Sequence, residues 1–329
     1  SPAVYINGRK ITDSQELSTL LSGNIRNVEV ITNPGASYSA DAKSVIRIRT
    51  KKPQGDGWSG TFRSTNGFQH YYQSSDIADL KYRTGGLEFF SNFMFNGGKN
   101  WERKLTDMTT NAASTWNQKL FAANRKNYDG LLGKVGFAWL INDKHSMGAY
   151  YQNEYAHIKT KSHLISSVFE NDEFYDKWET MADNDIKNTP RHAANLYYNG
   201  QIKKLNIDFN ADYIWSKGVQ NTVNDETCQI GENQTVTTYS KNKGRMLAEK
   251  VLLTYSVAKG VVKFGEEYTS SRTDNNFSTE YVNLNNATSK ITEDNTACFM
   301  EVMQQLGKFV VGFGLRYEHV NYDYFEGEG

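Results

Sequence analysis

Only two cysteines occur, Cys228 and Cys298, in unrelated surroundings, so no disulfide framework is encoded. The lack of local spacing between them favours two unpaired thiols. Charge of one sign is not in excess, because 37 Lys and Arg balance 37 Asp and Glu. That balance excludes a basic field for recruiting nucleic acid, and an acidic tail. No apolar run approaches the length of about 18 residues that a membrane-spanning helix needs. The histidines, His70, His145, His157, His163, His192 and His319, show no metal-ligand spacing; His157 and His163 are neighbours, but in an expected loop. Gly97-Gly98-Lys99 lacks the spacing of a phosphate cradle and reads as the start of a loop, and no G-x-S-x-G, H-E-x-x-H or Walker pattern occurs. Neither an enzyme nor a cofactor is expected. The opening SPAVYINGR has no basic start and no apolar core, so an exported protein is expected to begin upstream of Ser1.

What the chain does contain is strand-forming sequence. Proline is scarce at 4 residues, glycine reaches 26 and aromatics 13%, which is not the composition of a helical protein. Leu205, Ile207, Phe209, Ala211, Tyr213 and Trp215 alternate with Asn206, Asp208, Asn210 and Asp212. A period of two over about eleven residues is the length of a tilted membrane strand. Phe309, Val311, Phe313, Leu315 and Tyr317 repeat the pattern around Gly312, Gly314, Arg316 and Glu318, and Leu131–Ile141 and Leu87–Phe95 follow it less cleanly. Trp139, Trp215 and Tyr317 stand at strand ends, where an interfacial girdle would sit. The mean hydropathy of -0.66 does not oppose a barrel, since every second residue faces inward.

Alternation alone also fits a soluble β-sandwich. Turn lengths separate the two. Short turns at Thr84–Gly86, Asn142–His145, Lys203-Lys204, Ala258–Gly260 and Gly307 alternate with long polar connections near 97–128, 159–188, 217–243 and 273–294. Transmembrane barrels place short turns at the periplasmic end and long loops outside. The expected fold is therefore mainly β, with about eleven antiparallel up-and-down barrel strands. The first runs outward near 57–68 and the last outward near 308–322. An odd number does not close a typical bacterial barrel, so the chain is expected to hold about half of a barrel of about 22 strands.

The first fifty residues read differently. Val4-Tyr5-Ile6 is a short strand and Asn7-Gly8 a tight turn. Asp13 or Ser14 caps a short helix carrying Leu17, Leu20 and Leu21, and Gly23 ends it. Val28–Thr32 and Val45–Thr50 are strands flanking Asn33-Pro34-Gly35. Such a small α/β unit is too short to bury a core alone and must lean on something else.

VYINGRKI followed by NIRNVEVITNPGASYSADAKSVIRIRTKKPQG resembles the C-terminal half of the plug in TonB-dependent outer-membrane receptors, and more narrowly the Bacteroidetes outer-membrane barrel branch. The resemblance implies a plug part at 1–52, a linker at 53–57 and the N-terminal half of a barrel at 58–329. It implies an outer-membrane location, with membrane lipid around the barrel. The implied partners are an inner-membrane TonB energy-coupling complex and a surface lipoprotein, and nucleic acid is not among them. A nutrient (siderophore, glycan or peptide) would be bound by extracellular loops and plug and then imported. Asn33-Pro34 and Tyr38-Ser39 depart from the family's Gly-Pro and Tyr-Gly steps. They motivate a second reading, a binding or surface-structural barrel that does not transport. A third is a soluble all-β carbohydrate-binding protein.

Two sets of site residues follow. Trp101, Trp116, Tyr128, Tyr175 and Trp178 lie in the expected long loops, where flat aromatic faces suit ligand stacking. Packing of the loops against each other is the plainer reading of the same residues. Glu29, Arg47 and Arg49 either form a solvated strand face or, as the resemblance implies, pair with the inner barrel wall.

Overall fold

The computed structural model describes residues 2–6, 9–11, 17, 20, 22–32, 38, 44–50, 55–281 and 285–328. The expected Asn7-Gly8 turn, the helix cap at Asp13 or Ser14, Leu21, Asn33-Pro34-Gly35, Ser39 and Lys51-Lys52-Pro53 lie outside the described residues.

Four strands form a small sheet: β1 (Ala3–Ile6), β2 (Arg9–Lys10), β3 (Ile25–Ile31) and β4 (Val45–Thr50), in the order β2-β1-β4-β3. β1 runs parallel to β4, while β3 lies antiparallel on its other side. Val45, Ile48 and Tyr5 are buried, whereas Val28 and Val30 are exposed on the edge strand β3. Gly23 sits in a single 3-10 turn, Ser22–Asn24. β2 was not foreseen, because two residues are too few for a period to show.

Eleven strands form the second sheet. They are β5 (Gly57–Phe68), β6 (Tyr72–Thr84), β7 (Leu87–Asn111), β8 (Thr115–Asn142), β9 (His145–Glu170), β10 (Glu173–Ile202), β11 (Leu205–Cys228), β12 (Gln234–Val257), β13 (Gly260–Thr279), β14 (Ala287–Leu306) and β15 (Phe309–Glu328). Each pairs antiparallel with its sequence neighbours, from β5 to β15, with no crossover. This is the expected up-and-down meander, with the expected strand number. The five short turns read from the sequence all fall at one end, and each is tied to the next: Gly86, Lys144, Lys204 and Lys259 carbonyls each accept a backbone N–H from the neighbouring strand pair. Asp56 arrives at that same end, where its Oδ1 accepts the Gly85 N–H at 2.9 Å.

One expectation is overturned. The segments 97–128, 159–188, 217–243 and 273–294 are not loops but continuations of β7 to β14, closed by tips of a few residues. Gly97–Lys99, His157 and His163 accordingly sit inside strands. Polar alternation on both faces hides a strand from a hydrophobic-period reading, yet backbone pairing needs no apolar face. The last strand likewise runs to Glu328 rather than to about 322.

Candidate functional site: a charged wall beside the small sheet

Strand pairing sorts the side chains into two faces. On one face, call it inward, Asn210, Lys250, Glu267, Ala297 and Glu318 lie side by side across β11 to β15. On the other, Phe209, Val251, Glu266, Cys298 and Tyr317 share a row, and apart from Glu266, Glu249 and His319 they and their neighbours two residues away on β11, β12 and β15 are apolar. Many of these outward residues are exposed, including Phe89, Phe93, Leu131, Trp139, Leu196, Tyr213, Phe264, Phe313 and Leu315.

The inward face is built from ion pairs and amide networks. Lys250 Nζ donates to Glu267 Oε1 at 2.5 Å, and Arg316 Nη2 donates to Glu267 Oε2 at 2.6 Å. Arg316 Nε also donates to Glu318, and Lys263 Nζ meets Glu301 Oε1 at 2.8 Å. Two cations on one carboxylate leave little of Glu267 unpaired, as a half-buried charge requires. Arg316 Nη1 is buried without a hydrogen-bond partner among the described residues. Farther along, Asn195 Nδ2 donates to Asp212 Oδ1 at 2.7 Å and Asn210 Nδ2 to Asp212 Oδ2 at 2.7 Å. On the first strands Asn92 donates to Asp79 at 2.6 Å.

The small sheet meets this wall through two tyrosines. The Tyr38 ring lies 5.8 Å from Lys250 Nζ and edge-on to Tyr5, with centroids 5.4 Å apart. Burial pushes the Tyr5 hydroxyl above its ordinary value, with Glu267 and Tyr38 adding to the rise and Arg316 opposing it. Burial also raises Tyr38; Arg47 opposes, and Glu29 and Glu301 reinforce. Among the three charges singled out from sequence, Arg47 Nη1 pairs with Glu29 Oε2 at 3.3 Å inside the small sheet. Arg47 also lies within electrostatic reach of Asp208 on β11, so it serves both surfaces. Arg49 is exposed.

The five aromatics do not converge. Register puts Trp116, Tyr128 and Trp178 on the inward face and Trp101 on the outward face. Tyr175 is the extra residue of a β-bulge between Phe174 and Asp176. The structure brings Trp116 and Tyr175 together, edge to face at 5.0 Å. Trp101 instead lies against His70 at 4.9 Å and under Arg103 at 4.1 Å. Tyr128 lines a shallow inward hollow of about 180 Å³ with Met94, Asn96, Leu132, Glu154 and Ile158. A larger one of about 390 Å³ includes Asn188, Arg191, Ser216, Asn242 and Thr273, with Arg191 Nη1 on Glu154 Oε2 at 3.3 Å. Sequence reasoning missed this second hollow. Its signal is Pro190, which cannot donate to a ladder and marks the bulge between Asn188 and His192.

No group of three or more His, Cys, Asp or Glu placed to hold a metal occurs among the described residues. Cys228 and Cys298 are both free thiols. No described helix is long and apolar enough to cross a membrane, which says nothing of strands.

No protein-family model matches the chain, and no curated protein matches it. Solved structures similar to it include the unliganded ferric citrate transporter FecA, at 10% identity over 98% of this chain and 61% of that one, with a TM-score of 0.31. BauA, the ferric preacinetobactin receptor of Acinetobacter baumannii, is 8% identical over 99% and 68%, with a TM-score of 0.35. FyuA, the ferric yersiniabactin uptake receptor of Yersinia pestis, is 8% identical over 97% and 63%, with a TM-score of 0.38. The chain thus spans 61% of the first of these receptors.

Proposed function

We propose that residues 58–329 form part of the wall of an outer-membrane barrel and residues 1–52 part of its plug, joined by a linker at 53–57, in a receptor of the TonB-dependent type. The observation that carries this reading is the inverted distribution of polarity. The outward face is exposed and apolar while the inward face is ionic and holds the small sheet. Water as the outer solvent would leave that apolar face with nothing to bury it, whereas lipid satisfies it. The belt follows Leu87–Phe95, Leu131–Ile141, Leu205–Trp215 and Phe309–Tyr317, about ten residues each, as a tilted spanning strand needs.

In this reading a siderophore, glycan or peptide meets the strand extensions beyond the belt and the inward hollows near Tyr128 and Arg191. An inner-membrane energy-coupling complex then displaces the small sheet from the charged wall. Trp116, Tyr175, Tyr128 and Trp178 serve as contact aromatics of the extensions and Trp101 as an interfacial one. A surface lipoprotein is a further partner. The full-length protein should fractionate with outer membranes and leave them only in detergent. Recovery in the soluble fraction without detergent would sink the membrane reading and favour a carbohydrate-binding protein. Growth on a panel of ferric siderophores, glycans and peptides should fall when the energy-coupling protein is deleted.

Asn33-Pro34 and Tyr38-Ser39, where the resembled plugs carry Gly-Pro and Tyr-Gly, favour a second reading. There the same scaffold binds at the surface without transport. Ligand binding that persists with no uptake in the presence of the coupling protein would select it.

A further inference from the structure

The large sheet has a step inside it. The pairing of β6 with β7 stops at Gln73 opposite Gly98, whereas β7 runs on to Asn111. β8 keeps its register with β7 over that whole stretch, from Lys99 opposite Asn127 to Asn111 opposite Thr115. Among the described residues no strand pairs with the other side of Lys99–Asn111. Shorter steps occur at Glu173–Lys177 of β10 and Gln234–Thr237 of β12. Apart from Trp101 and Thr106, every residue of the β7 stretch is exposed. Leu105, at 82%, is the most exposed large apolar side chain among the described residues.

Two hydrogen bonds fix which backbone groups face the open side. The Lys99 carbonyl accepts from Gln73 Nε2 at 3.0 Å, on the β6 side, and the Gly86 carbonyl accepts the Leu140 N–H at 2.7 Å, on the β8 side. Odd and even positions of an unbroken antiparallel strand point their backbones to opposite neighbours. Trp101, Arg103, Leu105, Asp107 and Thr109 therefore aim N–H and C=O at the open side. Proteins commonly blunt such an edge with proline, a bulge, a covering loop or lysines. This stretch has no proline and no register shift, and its charges are of both signs, Glu102 and Asp107 among Lys99, Arg103 and Lys104.

We propose that the open edge of β7 takes up an extended segment of a partner protein as an added antiparallel strand. Every pairing in this sheet is antiparallel, and that arrangement is the stronger per residue. Charge complementarity defines the segment's chemistry. It carries a base opposite Asp107, an apolar residue opposite Leu105, acids opposite Lys104 and Arg103, a base opposite Glu102 and an aromatic residue opposite Trp101. Backbone bonds at the alternate positions supply affinity, and the cross-strand pairs supply selection. The edge lies beyond the belt strands, so it is present whether or not the chain transports.

The test uses the full-length protein in detergent, amide hydrogen exchange resolved by residue, and the synthetic peptide Thr-Thr-Arg-Thr-Leu-Glu-Asp-Lys-Phe. Without peptide, the amides of Trp101, Arg103, Leu105, Asp107 and Thr109 should exchange fast and those of their even-numbered neighbours slowly. The peptide should slow the odd-numbered set about tenfold. Reversing the peptide's charges, or methylating its Leu and Asp backbone nitrogens, should weaken binding about tenfold. Asp107→Arg should lose the peptide and recover binding to one with Asp in place of its Arg. Leu105→Pro removes an N–H that the β8 ladder does not use, so it should abolish binding while the even-numbered amides stay protected. Should that variant fold poorly by circular dichroism, the Asp107→Arg exchange carries the test. No slowing by the peptide, or equal binding of the charge-reversed one, overturns the proposal. Odd-numbered amides already protected in the monomer mean that the chain covers its own edge, which also overturns it. Odd-numbered amides protected only in a dimer, identified by sedimentation, overturn the partner as occupant in favour of a second copy.

Discussion

The two faces of β15 differ in what they carry. On β15, Phe309, Phe313, Leu315 and Tyr317 expose 76%, 59%, 60% and 69% of their surface, while Arg316 exposes 11% of its side chain, although Val310 and Val320 on its own face expose 64% and 51%. A soluble protein arranges these classes the other way round, because apolar surface is what water expels and charge is what water keeps. The inversion shows that alternation by itself specifies only that faces differ. Which face is solvated is set by what lies against each: on the inward side that is the small sheet, and in the proposed reading lipid lies on the other.

The largest test is to put a charge on the wrong face. Phe313→Arg, in the belt, should cost about 2–4 kcal/mol of stability in a bilayer, read from unfolding of the reconstituted protein. The same arginine at Gln152, on the inward face of β9, should cost less than about 1 kcal/mol. Equal costs would mean that the faces do not see different solvents. A smaller test removes one member of the wall. Lys250→Met leaves Glu267 with Arg316 alone and takes the cation from beside Tyr38. Because both members of the Lys250–Glu267 pair remain about a quarter exposed, the loss should be about 1–2 kcal/mol rather than the full penalty for a buried charge. Proteolysis within β1 to β4 should quicken with it. A variant whose small sheet is as resistant as before would detach the tyrosines from the wall.

How much of this was readable follows from what each feature depends on. The belt strands were legible because a slip of one residue would turn every apolar side chain inward, so Leu205–Trp215 and Phe309–Tyr317 leave no second solution. Asp208, Asn210, Asp212, Arg316 and Glu318 were recognisable as a polar lining for the same reason. Their partners were not, because Lys250 and Glu267 meet Arg316 only through registers fixed by the turns at Ala258–Gly260 and Gly307. The strand extensions escaped because Lys119, Arg125, Lys159 and Asp183 on one face and Gln118, Asn124, Thr160 and Asn184 on the other offer no hydrophobic contrast. Their one local signal was the pair Asn171-Asp172, which closes the β9–β10 hairpin with positive φ of 51° and 68°, the conformation Asn and Asp tolerate best.

In the proposed reading those extensions stand clear of the bilayer, and they should also be where electrostatics matters least and pH reaches most easily. Asp185 on β10 accepts a hydrogen bond from His157 Nε2 at 2.7 Å and has Lys159 and Lys187 Nζ at 3.8 Å. Burial by itself would raise its carboxyl, but the His157 hydrogen bond, then Lys187, His157 and Lys159, outweigh it and hold it below its ordinary value. A depressed carboxyl contributes stability that is complete above the unfolded value near 4 and is lost as pH falls through the lower folded value. Amide exchange across the β9–β10 hairpin should therefore quicken only below about pH 4, and Asp185→Asn should remove that acid step while leaving belt amides unchanged. The effect should be small and should shrink further in high salt, since these pairs are exposed to screening. An acid step of equal size in the belt, or one that survives Asp185→Asn, would mean that the extension is not the separately solvated region its two polar faces indicate.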